Sequence, residues 1–224
     1  MSRSRRYQQL REKDIPSDCE PAEAMKFVKE SATANFDESV DLAITLGVDP
    51  KKSDQMVRGS VVLPHGTGKK VRIAVAAEGK EAEEAKEAGA DIAGKEEVIK
   101  MIEKSQLEFD VLVASPGCMK DLARYGKMLG PRGLMPSPKS GTVSKDLAAT
   151  VSKLKQGQIE YKMSKNGVLH VMIGKTSFPA ENLLDNFNSF MDAVKKSRPA
   201  SAKGKFIKKA AVSSTMGPSV TVRL

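Results

Sequence analysis

"VRIAVAAEGKEAEEAKEAGADIAGKEEVIKMIEKSQLEFDVLVASP", Val71 to Pro116, is the stretch that decides the fold. It opens with a short run of small apolar residues, Val71 to Ala77, that reads as a strand. An Ala/Glu/Lys helix follows and ends at Gly89. Asp91 to Gly94 then reads as a short strand, and Lys95 to Gln106 as a helix with Val98, Met101 and Ile102 on one face. Phe109 to Pro116 reads as a buried strand, and "GCMKDLARYGKML" after it as one helix. Strand and helix in strict alternation are the mark of a parallel α/β sheet.

The flanks have another character. Residues 1–14 are polar and read as an arm or frayed helix. "EPAEAMKFVKESATA" carries Ala22, Met25, Val28 and Ala32 at helical spacing, with Pro21 near its start. In "ESVDLAITLGVDP", Val40, Leu42, Ile44 and Leu46 share one face while Asp41 and Thr45 share the other, the alternation of a half-buried antiparallel strand. "RGSVVLP" reads as a further strand. Beyond the middle region, "KDLAATVSKLKQG" reads as a helix closed by Gly157. "QIEYKMSKNGVLHVMIG" reads as a hairpin about its Asn-Gly turn. A long helix follows, with Leu183, Leu184, Phe187, Phe190, Met191 and Val194 on its buried side, and then two strands. Both ends therefore read as antiparallel α+β and the middle as parallel α/β. The simplest organisation is an insertion: residues 1–66 and 158–224 fold together, and 67–157 form the guest. Two chain crossings at one junction make a natural hinge.

Within the guest lies "GPRGLMPSPKSGTV", Gly130 to Val143, with three glycines and three prolines, Arg132 and Lys139. No helix or strand is expected to survive that punctuation. Ordered loops of this length are uncommon and often functional.

The 224 residues carry a net charge of +9. Such a balance fits a polyanionic partner, nucleic acid or an anionic membrane surface, as well as an ordinary basic protein. From residue 158 onward there are 11 cations and 4 acids, and no acid follows Asp192. That run reads either as a solvated face or as a phosphate-contacting surface. Two distant cysteines, Cys19 and Cys118, suit a reduced cytosolic chain. His65 and His170 have no partner at metal-ligand spacing. No apolar run reaches the length of a membrane span, and the basic N-terminus lacks the apolar core of a signal peptide. With no Trp and scattered Phe and Tyr, a broad base-stacking platform is not expected.

The motifs with chemical promise fail as enzyme sites. "HGTGKK", His65 to Lys70, resembles a phosphate loop, but Leu63 stands where the first glycine belongs and Lys70 where Ser or Thr belongs. It reads as a flexible interdomain hinge. The strand "VRIAVAA" is not followed by a dinucleotide fingerprint, so no cofactor is expected. Cys118, near a helix start, has no His close in sequence and reads as buried. "TMGPSV", Thr215 to Val220, offers a hydroxyl, an adaptable apolar side chain and a glycine at a strand end beside lysines. It reads as a plain turn or as a fit to the sugar edges of folded RNA.

Three blocks carry a resemblance. "YGKMLGPRGLMPSPKSGTV", "FDESVDLAITLGVDPKKSDQMVRGSVVLPHGTGKK" and "KGKFIKKAAVSSTMGPSV" together resemble the L-one family of large-subunit ribosomal proteins in its bacterial form, over nearly the whole chain. The resemblance implies a two-domain α/β fold, a split α+β RNA-binding domain with an inserted Rossmann-like parallel α/β domain. It implies no enzymatic activity and no cofactor. The partners it implies are 23S rRNA at the mobile stalk, exit-site tRNA and the protein's own operon mRNA, with no membrane. It implies a cytoplasmic protein acting as a monomer within the large ribosomal subunit. The RNA contacts it implies fall on Phe36, Asp41, Lys51, Thr215, Met216 and Gly217, and on Lys209, where relatives often carry Ser. Arg132 and Lys139 are expected as a secondary RNA contact on a loop whose prolines limit the entropy lost on ordering. The alternatives from other classes are a small α/β enzyme or nucleotide-binding protein, which lacks a phosphate fingerprint, and a DNA-binding protein, which lacks a helix-turn-helix.

Overall fold

A computed structural model describes residues 5–12, 18–104, 107–202 and 204–223; the side chains of Arg5, Arg11, Glu12, Ser53 and Lys139 lie outside that description. In chain order the elements are α1 (Arg5–Glu12), α2 (Pro21–Ser31), β1 (Ser39–Leu46), β2 (Arg58–Val62), β3 (Ile73–Ala76), α3 (Lys80–Glu87), β4 (Ile92–Ala93) and α4 (Lys95–Glu103). They continue with β5 (Val111–Ala114), α5 (Met119–Ala123), α6 (Gly126–Leu129), α7 (Leu147–Lys155), β6 (Gln158–Lys162), β7 (Val168–Lys175), α8 (Ala180–Lys196), β8 (Ile207–Ser214) and β9 (Ser219–Val222). The chain divides into two compact units, Met1–Gly68 with Ile159–Leu224, and Lys69–Gln158.

The discontinuous unit is built on an antiparallel sheet in the order β7-β1-β8-β9. The inner strand β1 comes from the first chain segment and the other three strands from the second. The alternation read from β1 holds: Val40, Leu42, Ile44 and Leu46 are buried, and Asp41 is exposed. They meet Leu169, Val171 and Ile173 of β7, Val212 of β8 and Val220 of β9 in one core. Helices α2 and α8 complete that core with Ala24, Met25 and Val28, and with Leu183, Phe187, Phe190, Met191 and Val194. Phe190 is wholly buried and takes the edge of Tyr161 at 5.3 Å, ring to ring. Burying such a ring stabilises the fold by about 2–3 kcal/mol.

Three expectations need correction here. The Asn-Gly segment makes a tight turn, with the Gly167 N–H on the Ser164 carbonyl at 3.0 Å, but the strands on either side do not pair as a hairpin. Strand β6 pairs with β2 in a separate two-stranded sheet, and β7 pairs with β1. Tyr161 and Met163 are buried in the core, and the Met163 N–H binds the Val57 carbonyl, which commits β6 to that neighbour. Leu184 is only half-buried on α8, and Asn186 takes a wholly buried place instead. The "HGTGKK" segment is not free along its length. Asn186 accepts from the His65 N–H at 3.1 Å and donates to the Gly66 carbonyl at 2.9 Å and the Ile173 carbonyl at 2.8 Å. His65 also reaches Asp185 at 3.0 Å.

The continuous unit has a parallel sheet in the order β4-β3-β5. All four residues of β3 are buried because both faces are covered. Ala74 and Ala76 join Val98 and Ile102 of α4, Leu122 of α5 and Leu129 of α6 in one cluster. Ile73, Val75 and Ala77 join Ala85 of α3 and Leu147, Val151 and Leu154 of α7 in another. Asp146 caps α7 through the Ala149 N–H at 3.0 Å, and Gly157 closes it at φ +100°. Two further corrections fall in this unit. The helix expected over "GCMKDLARYGKML" breaks into α5 and α6 at Tyr125, whose hydroxyl is drawn 2.6 Å from a Glu103 oxygen. The Gly130–Val143 loop does hold regular structure: a short 3-10 turn at Pro138–Ser140, and a parallel bridge from Val143 to Ala114 of β5. Leu134 and Met135 pack on the α4–α6 core, and Pro136, Ser140 and Thr142 are buried.

Candidate nucleic-acid interface

The inward phase of β1, residues 40, 42, 44 and 46, extends back to residue 38. A glutamate stands there, and it is 1 % exposed. A buried carboxylate needs hydrogen bonds. Glu38 accepts the Ala34 N–H on Oε1 at 3.2 Å and the Met216 N–H on Oε2 at 2.8 Å. Its main-chain carbonyl accepts the Thr176 N–H at 2.9 Å. One residue thus ties together the loop before β1, the turn after β7 and the turn between β8 and β9.

Next to it, Asp37 fixes the turn after β7. Its Oδ1 accepts from the Thr176 hydroxyl at 3.1 Å and the Ser177 N–H at 3.0 Å, and its Oδ2 from the Ser177 hydroxyl at 3.0 Å. Lys175 stands 3.5 Å away. Desolvation pushes the Asp37 carboxyl up, but the Ser177 and Thr176 bonds with Lys175 outweigh it and hold the group below its ordinary value. With Asp37 and Glu38 both engaged, Phe36 is left on the surface at 55 % exposure.

The turn Thr215–Gly217 is bound on every side. The Thr215 N–H donates to the Ser39 carbonyl at 3.0 Å, and the Thr215 hydroxyl accepts the Ser39 N–H at 3.0 Å. The Met216 carbonyl accepts from Arg6 Nη2 at 2.7 Å, and Arg6 Nη1 donates to the Thr33 hydroxyl at 2.8 Å. The Met216 side chain itself stays 50 % exposed. Gly217 is explained by its neighbour: a Cβ there would overlap the Ser214 hydroxyl. That hydroxyl is buried without a hydrogen-bond partner.

The structure therefore brings Phe36, Thr215, Met216 and Gly217 to one end of the sheet, around Glu38 and Ser39. Asp41 lies two residues along β1, opposite Ser213 of β8. Desolvation raises its carboxyl above the ordinary value, and the nearby His170 opposes that shift. Lys209 lies further along, opposite Thr45. Four residues of strand separate it from Asp41, roughly 13 Å. Between them on β1 and β8 the open face carries Ala43, Ala211 and Ser213, small half-buried residues, with His170 of β7 opposite Ala43. Lys51 is exposed in the loop beyond the far end of β1, away from Phe36. Arg132 is exposed in the other unit, and the Lys139 side chain lies outside the described residues.

Sequence reasoning missed Glu38, Asp37, Arg6 and Ser214. The signal for Glu38 was available, since a carboxylate on the buried phase of a strand must be paid for by donors. Arg6 and Asp37 find partners far along the chain, at Met216 and at Thr176 and Ser177, and the burial of the Ser214 hydroxyl has no signature in the local pattern. Burial raises the Cys118 thiol above its ordinary value, aided by Glu78.

A family model described as the Ribosomal protein L1p/L10e family matches residues 28–218. Among curated proteins, the large ribosomal subunit protein uL1 of Bordetella pertussis is 54 % identical over 202 residues, 90 % of this chain and 87 % of its own length. The proteins of the same name from Aliivibrio salmonicida and Vibrio vulnificus are each 50 % identical over 220 residues, 98 % of this chain and 94 % of theirs.

Proposed function

This chain belongs to the ribosomal protein L1p/L10e family, and on that premise we propose that its discontinuous unit binds structured 23S rRNA at the mobile stalk of the large subunit. The family is a structural, non-enzymatic component of the ribosome. The observation that carries the proposal is the junction at Glu38, which presents Phe36 and the turn Thr215–Gly217 from one rigid end of the sheet. Fixed apolar side chains, backbone and a hydroxyl suit the shape of folded RNA, its ribose edges and its unstacked bases. On this reading Asp41 accepts from a ribose hydroxyl or base N–H, Lys209 further along the sheet meets a phosphate, and Lys51 meets another beyond the far end of β1.

The continuous unit, Lys69–Gln158, is the Rossmann-like domain of this reading. Its Gly130–Val143 loop, with Arg132 and Lys139, serves as a secondary contact to rRNA or passing tRNA. In the cell the protein is cytoplasmic, a monomer in the large subunit, assists release of exit-site tRNA and represses its own operon by binding a similar structure in the mRNA.

The test is binding to a stalk-derived 23S rRNA fragment across a salt series, against an unrelated hairpin of equal length. Preference for the stalk fragment that persists at high salt, and that falls with Thr215→Val or Met216→Ala, is expected. Equal and steeply salt-dependent binding to both RNAs means that charge alone acts, and overturns the site. Unchanged rRNA affinity and unchanged tRNA release in the Arg132→Ala, Lys139→Ala double variant would remove the secondary contact.

A further inference from the structure

Both main-chain polar groups of Met216 are held by side chains, on either side of its Cα. Glu38 takes the N–H at 2.8 Å, and Arg6 takes the carbonyl at 2.7 Å. The two come from opposite directions in the chain: Glu38 from the start of β1, Arg6 from helix α1. The second arm of the Arg6 guanidinium holds the Thr33 hydroxyl at 2.8 Å. Thr33 lies in the loop that leads to Phe36, and Glu38 holds the Ala34 N–H of that same loop. The planar fork of one arginine therefore spans the two loops that carry the large exposed side chains Phe36 and Met216.

We infer that Arg6 is a positioning residue for RNA recognition, on the reading above that this turn contacts RNA. It acts by fixing the Thr215–Gly217 turn against the Phe36 loop. The physical gain is in entropy. A turn free to move must be ordered by the RNA, and that cost is subtracted from the affinity; a turn already held has lost it beforehand. Charge-assisted bonds to backbone carbonyls are strong enough to hold such a turn, and lysine cannot replace the fork, because a single ammonium does not match two acceptors in fixed planar geometry. Helix α1 is thereby part of the binding surface without needing to touch RNA.

A positioning role and a direct phosphate contact make different predictions. Removing a phosphate contact weakens binding to all RNAs alike and lowers the salt slope by about 1. Removing a positioning residue weakens the preferred RNA and leaves the slope alone. Arg6→Ala in the full chain is expected to bind the stalk fragment about tenfold more weakly, with the salt slope unchanged. Arg6→Lys stays weakened too. In the free protein, the Met216 methyl resonance of Arg6→Ala is expected to sharpen and move toward its unstructured position. Wild-type affinity in Arg6→Ala overturns the inference, as does a slope lowered by about 1 with full rescue by Arg6→Lys. Should Arg6→Ala not fold, Thr33→Val removes only the second arm's acceptor, and unchanged affinity there also overturns it. Wild-type protein with no preference for the stalk fragment overturns the RNA-binding reading instead, and the Met216 methyl then still reports the clamp on its own.

Discussion

Gly217 is a residue whose identity the packing dictates. Its φ is not in the left-handed region, so an alanine would meet no backbone strain. The obstacle is the Ser214 hydroxyl beneath it. Gly217→Ala is expected to cost about 1–3 kcal/mol by overpacking. Ser214→Ala leaves Ser31 Oγ at 3.5 Å and the residue-214 Cβ at 3.6 Å as the nearest neighbours of that new Cβ, both ordinary contacts. The double variant should therefore recover most of the loss, and Ser214→Ala alone should be neutral or stabilising, since it removes an orphaned polar group. Urea unfolding of the two single variants and the double closes the cycle, and simple additivity would refute the clash. Asp37 gives a prediction in pH. Its folded-state carboxyl titrates below the ordinary 3.8, so its contribution is present above pH 3.8 and is lost as pH falls through the lower folded value. Acid unfolding of Asp37→Asn should show a shallower loss of stability below pH 3.8 than the parent protein does; an identical acid limb would mean that its bonds to Thr176 and Ser177 carry no linkage.

At the scale of elements, helix α8 does more than cover the sheet. Its spacing in sequence is legible, and Leu183, Phe187, Phe190, Met191 and Val194 are buried as periodicity requires. Asn186 sits on the same stripe, wholly buried, because it has three backbone partners from elsewhere in the chain. Asn186→Leu keeps the branched outline with a bulkier tip and withdraws all three bonds, from the His65 N–H, the Gly66 carbonyl and the Ile173 carbonyl. A loss of about 2–4 kcal/mol in urea unfolding is expected, with faster amide exchange at His65. A change below half a kcal/mol would show that water replaces the asparagine. The misplaced hairpin has a related cause. Asn166-Gly167 specifies a turn, and a turn forms. Which strand each arm then joins is decided by side chains such as Tyr161 and Met163 that have a core to enter, and no local signal records that choice.

At the scale of the molecule, the two units have separate cores. Strand β1, one of the two inner strands of the antiparallel sheet, belongs to the first chain segment, and its neighbours β7 and β8 belong to the second. A fragment of residues 1–68 would leave both edges of β1 unpaired and its apolar face uncovered, so it should be unfolded by far-UV circular dichroism. Residues 69–158 form one continuous stretch with a sheet covered on both faces, and should fold alone with a cooperative melt. A folded 1–68 fragment, or an unfolded 69–158 fragment, would refute this account.

The sequence by itself determined the classes of element, the parallel character of the middle and the antiparallel character of the ends, because these follow from periodicities of 2 and 3.6 and from Gly and Pro at fixed places. It also carried the family, through long blocks that match over most of the chain. Only the tertiary structure decided how the candidate surface is held. Glu38, Arg6 and Asp37 act through partners as many as 210 positions away. Those pairings arise when strands from two distant segments zip into one sheet, and a pattern read along a single segment contains no term for them.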